Sequence, residues 1–234
     1  MCGRVIQARD PTLYTHVVGG EPERPVPNTP PHYNGAPGQD YLIGRRHPKT
    51  GERTLDVLRW GLIPSWAKDR KVAWKFINAR AESVATTGAF KTAYAKRRCL
   101  VPVDGFYEWR TVGKVKQPYA IGMTDGQPFT LAGLWENWKD PDSGEWTRTF
   151  TIVTTSANDL VAKLHDRMPV ANPGVRRTVP LRPGRLRRAD WGQVAEMADP
   201  AHSLDGPEHA AARTISPATR CPRATAHKST CPTS

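Results

Sequence analysis

From residue 40 to residue 155 the chain is cut into short apolar runs by turn residues. Residues 40–44, 54–60, 97–103, 104–109, 118–123, 128–135 and 147–155 have strand length and strand composition. Polar turns separate several of them, at Pro48-Lys49-Thr50-Gly51, Thr124-Asp125-Gly126 and Asp142-Ser143-Gly144. Another short strand is expected over residues 4–9. Helices are few. Asp10-Pro11-Thr12 starts one that runs to Val18. A loop and helix reaching Lys96 follow Ala81-Glu82-Ser83, and a helix of about ten residues follows Thr155. Between Gly19 and Gln39 Pro and Gly are dense, so neither helix nor strand is expected there.

With 234 residues there is room for one large or two small domains and a real core. Hydrophobic residues at 38% and charged residues at 24% are those of an ordinary soluble protein. No apolar run approaches the roughly 18–20 residues that span a bilayer, and the first residues lack a signal peptide's apolar region, so a cytoplasmic location is expected. Four Cys at 2, 99, 221 and 231 have spacings unlike a disulfide framework. The excess of 34 basic over 22 acidic residues favours a polyanionic partner. Residues 171–234 differ from the rest: they hold eight Pro and a single aromatic, Trp191.

Removal of Met1 would leave Cys2 with its α-amine and thiol on adjacent carbons. Such a 1,2-aminothiol condenses with an aldehyde and closes a five-membered ring through sulfur. With unperturbed pKa values near ~7.7–8.0 and ~8.5, both groups are expected to be partly nucleophilic at neutral pH. Trp60 and Trp66 flank a Gly and a Pro on a loop, either as core anchors or as a stacking platform for bases. Strict alternation puts Phe106 and Glu108 on one strand face, where a ring-lined carboxyl gains a raised pKa; a surface Glu is the alternative. His165-Asp166-Arg167 brings a proton donor and a phosphate-binding fork into one loop. There is no Walker, Rossmann or zinc pattern, so neither a cofactor nor a metal is expected.

Seven stretches then stand in a telling order. They are Met1-Cys2-Gly3-Arg4, Tyr33-Asn34-Gly35-Ala36-Pro37, Trp60-Gly61-Leu62-Ile63-Pro64, Ile77-Asn78-Ala79-Arg80-Ala81-Glu82, Arg98-Cys99-Leu100-Val101-Pro102, Asp104-Gly105-Phe106-Tyr107-Glu108-Trp109 and His165-Asp166-Arg167-Met168-Pro169. Over residues 2–170 the chain resembles the SOS response-associated peptidase (SRAP) family. The resemblance implies an α+β fold around a barrel-like, mostly antiparallel sheet, with a basic groove for single-stranded DNA that contains abasic sites. Nothing in the sequence points beyond a monomer. The resemblance also implies that Cys2 forms a thiazolidine with the ring-opened abasic aldehyde. Asn78 would hold Cys2 and the sugar, Glu108 would be the acid/base, and His165 would assist ring opening. Arg4, Arg80 and Arg167 would grip phosphates, Asn34 would line the DNA path, and Trp66 would act as a wedge. Thr154 and Thr155 would donate to the DNA backbone. The family name also implies self-removal of Met1.

The chain departs from the family pattern at Thr87-Gly88-Ala89, where a basic position is missing. It departs again after Val170, where apolar periodicity stops and a Pro/Arg-rich segment follows. Residues 171–234 thus read as a disordered or DNA-binding tail, or as translation in a shifted frame. A glutamine-hydrolysing amidotransferase also begins Met-Cys-Gly, but it needs a Gly-Asp pair that this chain lacks. A non-catalytic single-strand binder would leave Cys2 unexplained.

Overall fold

The computed structural model describes residues 2–21, 25–47, 49–123 and 125–172. Five strands close into a ring: β3 (Asp40–Arg46), β4 (Arg53–Trp60), β6 (Arg98–Val103), β9 (Phe129–Lys139) and β10 (Trp146–Ser156). The hydrogen-bonded order β10-β4-β3-β6-β9 returns to β10 through the long β9–β10 hairpin. All the contacts in the ring are antiparallel except β10 with β4. This is the barrel-like, mostly antiparallel α+β architecture that the sequence resemblance implies. Three short strands extend the ring. β5 (Asn78–Arg80) lies parallel to β10, β11 (Arg167–Pro169) antiparallel to it, and β12 (Ala171–Asn172) pairs with β9.

A second, four-stranded sheet has the order β2-β1-β7-β8, with β1 (Val5–Gln7), β2 (His32–Gly35), β7 (Gly105–Val112) and β8 (Val115–Ile121). The chain crosses from barrel to small sheet at Asp104, between β6 and β7. Its Oδ2 accepts from Tyr14 Oη at 2.7 Å and from the Ala8 N–H at 2.8 Å, and its own N–H donates to the Ile6 carbonyl oxygen. That corner ties the second sheet to α1 (Pro11–Val18), whose Asp10 cap accepts the Thr12 N–H and whose Gly19 ends it in the left-handed region at φ 68°.

The two sheets share one core. Cys2, just ahead of β1, and Val5 and Phe106 from the small sheet pack with Tyr41, Ile43, Leu58, Trp60, Val101, Phe150 and Ile152 inside the barrel. Trp60 and Phe150 stack at 6.2 Å, and Tyr41 meets both edge-on. On the outer face of β9 and β10, Ala132, Leu134 and Val153 are covered by Leu62, Val84, Phe90 and the α2 (Lys91–Lys96) residues Ala93 and Tyr94. Both faces of these strands are buried, and the threonines among their apolar residues, Thr130, Thr149, Thr151 and Thr154, are buried too.

Three expectations from the sequence need correcting. His32–Gly35 is a strand, not irregular chain; it lies at a sheet edge, where pairing with β1 replaces an apolar pattern. The helix reaching Lys96 is only six residues long, because turns occupy the chain from Ala81 to Phe90. The helix after Thr155 is α3 (Asp159–Ala162), four residues capped by Asn158. Residues 173–234, and with them the expected tail, lie outside the described residues. No described helix is long and apolar enough to cross a membrane.

Gly133 lets the ring close. A Cβ there would lie 2.9 Å from Cys99 Sγ and 3.0 Å from the Thr151 carbonyl oxygen. Gly133→Ala is therefore expected to cost about 1–3 kcal/mol and lower the Tm by several degrees in calorimetry. An unchanged Tm would mean that the neighbouring strands shift freely.

Candidate active site

The chain ahead of β1 is pinned from two sides. Asn78 Nδ2 donates to the Cys2 carbonyl oxygen at 2.8 Å, and the Tyr107 N–H donates to the Arg4 carbonyl oxygen at 3.0 Å. Asn78 can do this because β5 runs beside β10, with Asn78 in register with Ile152. The preceding carbonyl, of Ile77, accepts Trp60 Nε1–H at 2.9 Å and fixes the approach. Asn78 Oδ1 is buried and has no hydrogen-bond partner among the described residues. The site thus keeps one aimed acceptor for a further donor.

Glu108 shares its strand face with Phe106, and both are buried; the carboxylate is 1% exposed. Burial pushes its carboxyl above the ordinary range, against the pull of nearby positive charge that includes His165. Cys2 is fully buried. Its thiol is pushed well up, first by burial and then by the negative charge of Glu108. This corrects the expectation of a partly ionised Cys2 thiol: in this setting it holds its proton. The two groups act on each other electrostatically, burial favouring the protonated form of both.

His165 follows α3. Its Nδ1 lies 2.7 Å from Asp166 Oδ1 and 2.9 Å from the Arg167 backbone nitrogen. One nitrogen faces both an acceptor and a donor, so protonated His165 is held by Asp166 and neutral His165 takes the Arg167 N–H. Asn78 is hydrogen-bonded to Cys2, the charge of Glu108 is felt at the Cys2 thiol, and that of His165 at Glu108.

Around it, Arg4 Nη1 donates to Asn34 Oδ1 at 3.0 Å. Arg80 is exposed at the end of β5, in register with Thr154. Thr154 itself is buried, with Oγ1 accepting from Arg167 Nη2 at 3.3 Å, while Thr155 is half-buried. Arg167 gives both Nη atoms to Glu82 and one of them also to the Thr154 carbonyl oxygen. Trp66 stands 64% exposed on the loop after β4 and, among the described residues, makes no hydrogen bond or ring contact to these groups.

Sequence reasoning missed Glu82 and Trp74. Glu82 lies inside one of the matched stretches, and only the fold brings it to Arg167. Trp74 is as exposed as Trp66 and, with Gly38, Arg59, Arg70, Lys71 and Trp138, lines a cavity of about 260 Å³. The clustering of Arg70 and Lys71 near a Trp was its available signal. Among the described residues no cluster of His, Cys, Asp and Glu could hold a metal ion.

The sequence of this chain matches a family model described as SOS response associated peptidase (SRAP) over residues 1–205. The chain belongs to that family. It is 43% identical over 141 residues to the abasic site processing protein YoqW of Bacillus subtilis, covering 60% of this chain and 62% of that one. It is 32% identical over 173 residues to the abasic site processing protein YedK of Escherichia coli, covering 73% and 74%. A crystal structure of a protein from Bacteroides thetaiotaomicron superimposes with a TM-score of 0.59 at 31% identity, covering 70% of this chain and 72% of that chain. Against the Bacillus relative, the chain spans about three fifths of the relative's length. The family match leaves the amidotransferase alternative without support.

Proposed function

We propose that this chain, once Met1 is removed, forms a covalent thiazolidine between Cys2 and the aldehyde of an abasic site in single-stranded DNA. The observation that carries this reading is the grip of Asn78 on the Cys2 carbonyl with Glu108 beside the thiol. It also rests on family membership and on relatives named as abasic site processing proteins.

The raised thiol pKa sets the order of steps. The amine is the first nucleophile and adds to C1′ of the ring-opened sugar. Glu108, whose burial favours the protonated carboxyl, donates to the departing hydroxyl, so a protonated imine and one water form. The Cys2 thiol then adds to the iminium carbon. Its proton returns to the Glu108 carboxylate, which closes a neutral thiazolidine and restores the acid with no change of oxidation state. Asn78 Oδ1 accepts from the amine or a sugar hydroxyl, and His165 steadies the opened sugar. The same Glu108 is suited to assist removal of Met1.

Arg4 (with Asn34), Arg80 and Arg167 are the phosphate contacts, and exposed Trp66 is the stacking wedge, joined by Trp74. Thr155 is the better placed of the two threonines for the DNA backbone, because Thr154 is buried and engaged. No metal or cofactor takes part in this scheme, and the chain acts as a cytoplasmic monomer.

The test is intact mass after incubation with a single strand bearing one abasic site. An adduct that survives denaturation and equals protein plus DNA less one water supports the reading; its absence in protein lacking Met1 rejects it. Arg80→Ala is expected to weaken binding alike for all sequences and to reduce the slope of log K against log salt by about 0.7. An unchanged slope would take Arg80 off the DNA path.

A further inference from the structure

We propose that Glu82 occupies the seat of one DNA phosphate in the DNA-free chain, and that binding exchanges its carboxylate for a phosphodiester. This rests on the reading above that single-stranded DNA crosses this face. Arg167 Nη1 and Nη2 donate to the two Glu82 oxygens at 2.9 and 3.0 Å, the forked geometry that a phosphate also satisfies.

The partners are held unequally. The Arg167 side chain is 15% exposed, and its Nη2 also donates to the Thr154 carbonyl oxygen at 2.8 Å. The Glu82 side chain is 51% exposed and leaves from the turn after β5. When Glu82 swings away, the Thr154 bond keeps the guanidinium where it was. Arg167 Nε is buried and, among the described residues, has no hydrogen-bond partner, so Glu82 satisfies this fork incompletely. Arg80 sits two residues before Glu82 and, like Arg167, favours an anion at this spot. A movable carboxylate thus lies between one fixed and one exposed arginine.

Such an exchange lowers affinity for every single strand alike. Undamaged strands, held by phosphate contacts alone, are released more readily. A strand that reacts at Cys2 is retained by the covalent bond. Glu82 in this way widens the difference between ordinary and abasic DNA without touching the lesion.

The experiment is fluorescence anisotropy of the full chain with labelled, undamaged dT8. It compares wild type, Glu82→Gln, Glu82→Asp, Arg167→Ala, the Glu82→Gln/Arg167→Ala double variant, and Glu145→Gln as a charge control. Glu82→Gln is expected to tighten binding about threefold, the size of one exposed ion pair that no longer competes. Glu82→Asp should fall between wild type and Glu82→Gln, since the shorter chain cannot keep both bonds. Glu145→Gln should change little, and the gain should vanish in the Arg167→Ala background. Equal or weaker binding by Glu82→Gln would make Glu82 a scaffold for Arg167 and overturn the exchange. A gain that persists without Arg167 would reduce it to net charge and overturn it too. Wild type that forms the abasic adduct with no gain in Glu82→Gln leaves the crosslinking reading intact; wild type that neither binds dT8 nor forms the adduct removes both.

Discussion

Cys2→Ala is expected to abolish the denaturation-resistant adduct with abasic single strands while leaving weak reversible binding. Without sulfur the amine can still form an imine, but nothing closes the ring, and water reverses the imine. Cys2→Ser should behave nearly the same, since a hydroxyl adds poorly to the imine carbon. Any residue left before Cys2 should also prevent the adduct, because it converts the α-amine to an amide. Cys99 supplies the control. It is buried inside the barrel against Gly133, and burial pushes its thiol well up, so Cys99→Ala should retain the adduct. An adduct lost in Cys99→Ala and kept in Cys2→Ala, read by intact mass, would reverse the assignment.

Glu108→Gln should slow crosslinking by about 10²–10⁴-fold, the usual worth of a positioned acid/base, and slow reversal at least as much. The same substitution should act on stability in the opposite direction. Burial raises the Glu108 pKa in the folded chain above its unfolded value. The folded state therefore binds that proton more tightly, and stability falls as pH rises from the unfolded pKa to the raised one. Above the ordinary carboxyl range the buried group must either be charged or take up a proton on folding, a burden that a neutral amide of the same shape removes. Urea unfolding of both proteins across pH should show Glu108→Gln more stable at pH 7, with the difference shrinking in acid. Equal rates and parallel stability curves would make Glu108 an inert core residue.

Much of this was legible in residue order because strand pairing is written in alternation and in turns. The Phe106/Glu108 face follows from period two, and Asp10-Pro11 marks the start of α1. β2 and β5 were not legible. Three or four residues carry no usable periodicity, and their partners, β1 and β10, supply the hydrogen bonds that make them strands. The state of the Cys2 thiol was not legible for a related reason: its pKa depends on burial and on Glu108, 106 positions away in the sequence. The Glu82–Arg167 pair joins residues separated by 85 positions, and no local pattern announces it. The exposed Trp66 is the converse case, since a loop Trp could equally have been a core anchor.

β1 sits in the middle of its sheet, between β2 and β7, and this sets a timetable for synthesis. The residues of β1 and those just ahead of it must wait for Asn78 and then for Phe106 before they have their partners. Val5 pairs with Phe106 across about a hundred intervening residues, a long closure that favours late assembly. A nascent chain shorter than this carries Cys2 on an unanchored end, without Asn78 or Glu108 around it. On the proposed reading, assembly of the site around Cys2 is thereby tied to completion of the barrel, so an interrupted translation product has the thiol but not the groups that surround it.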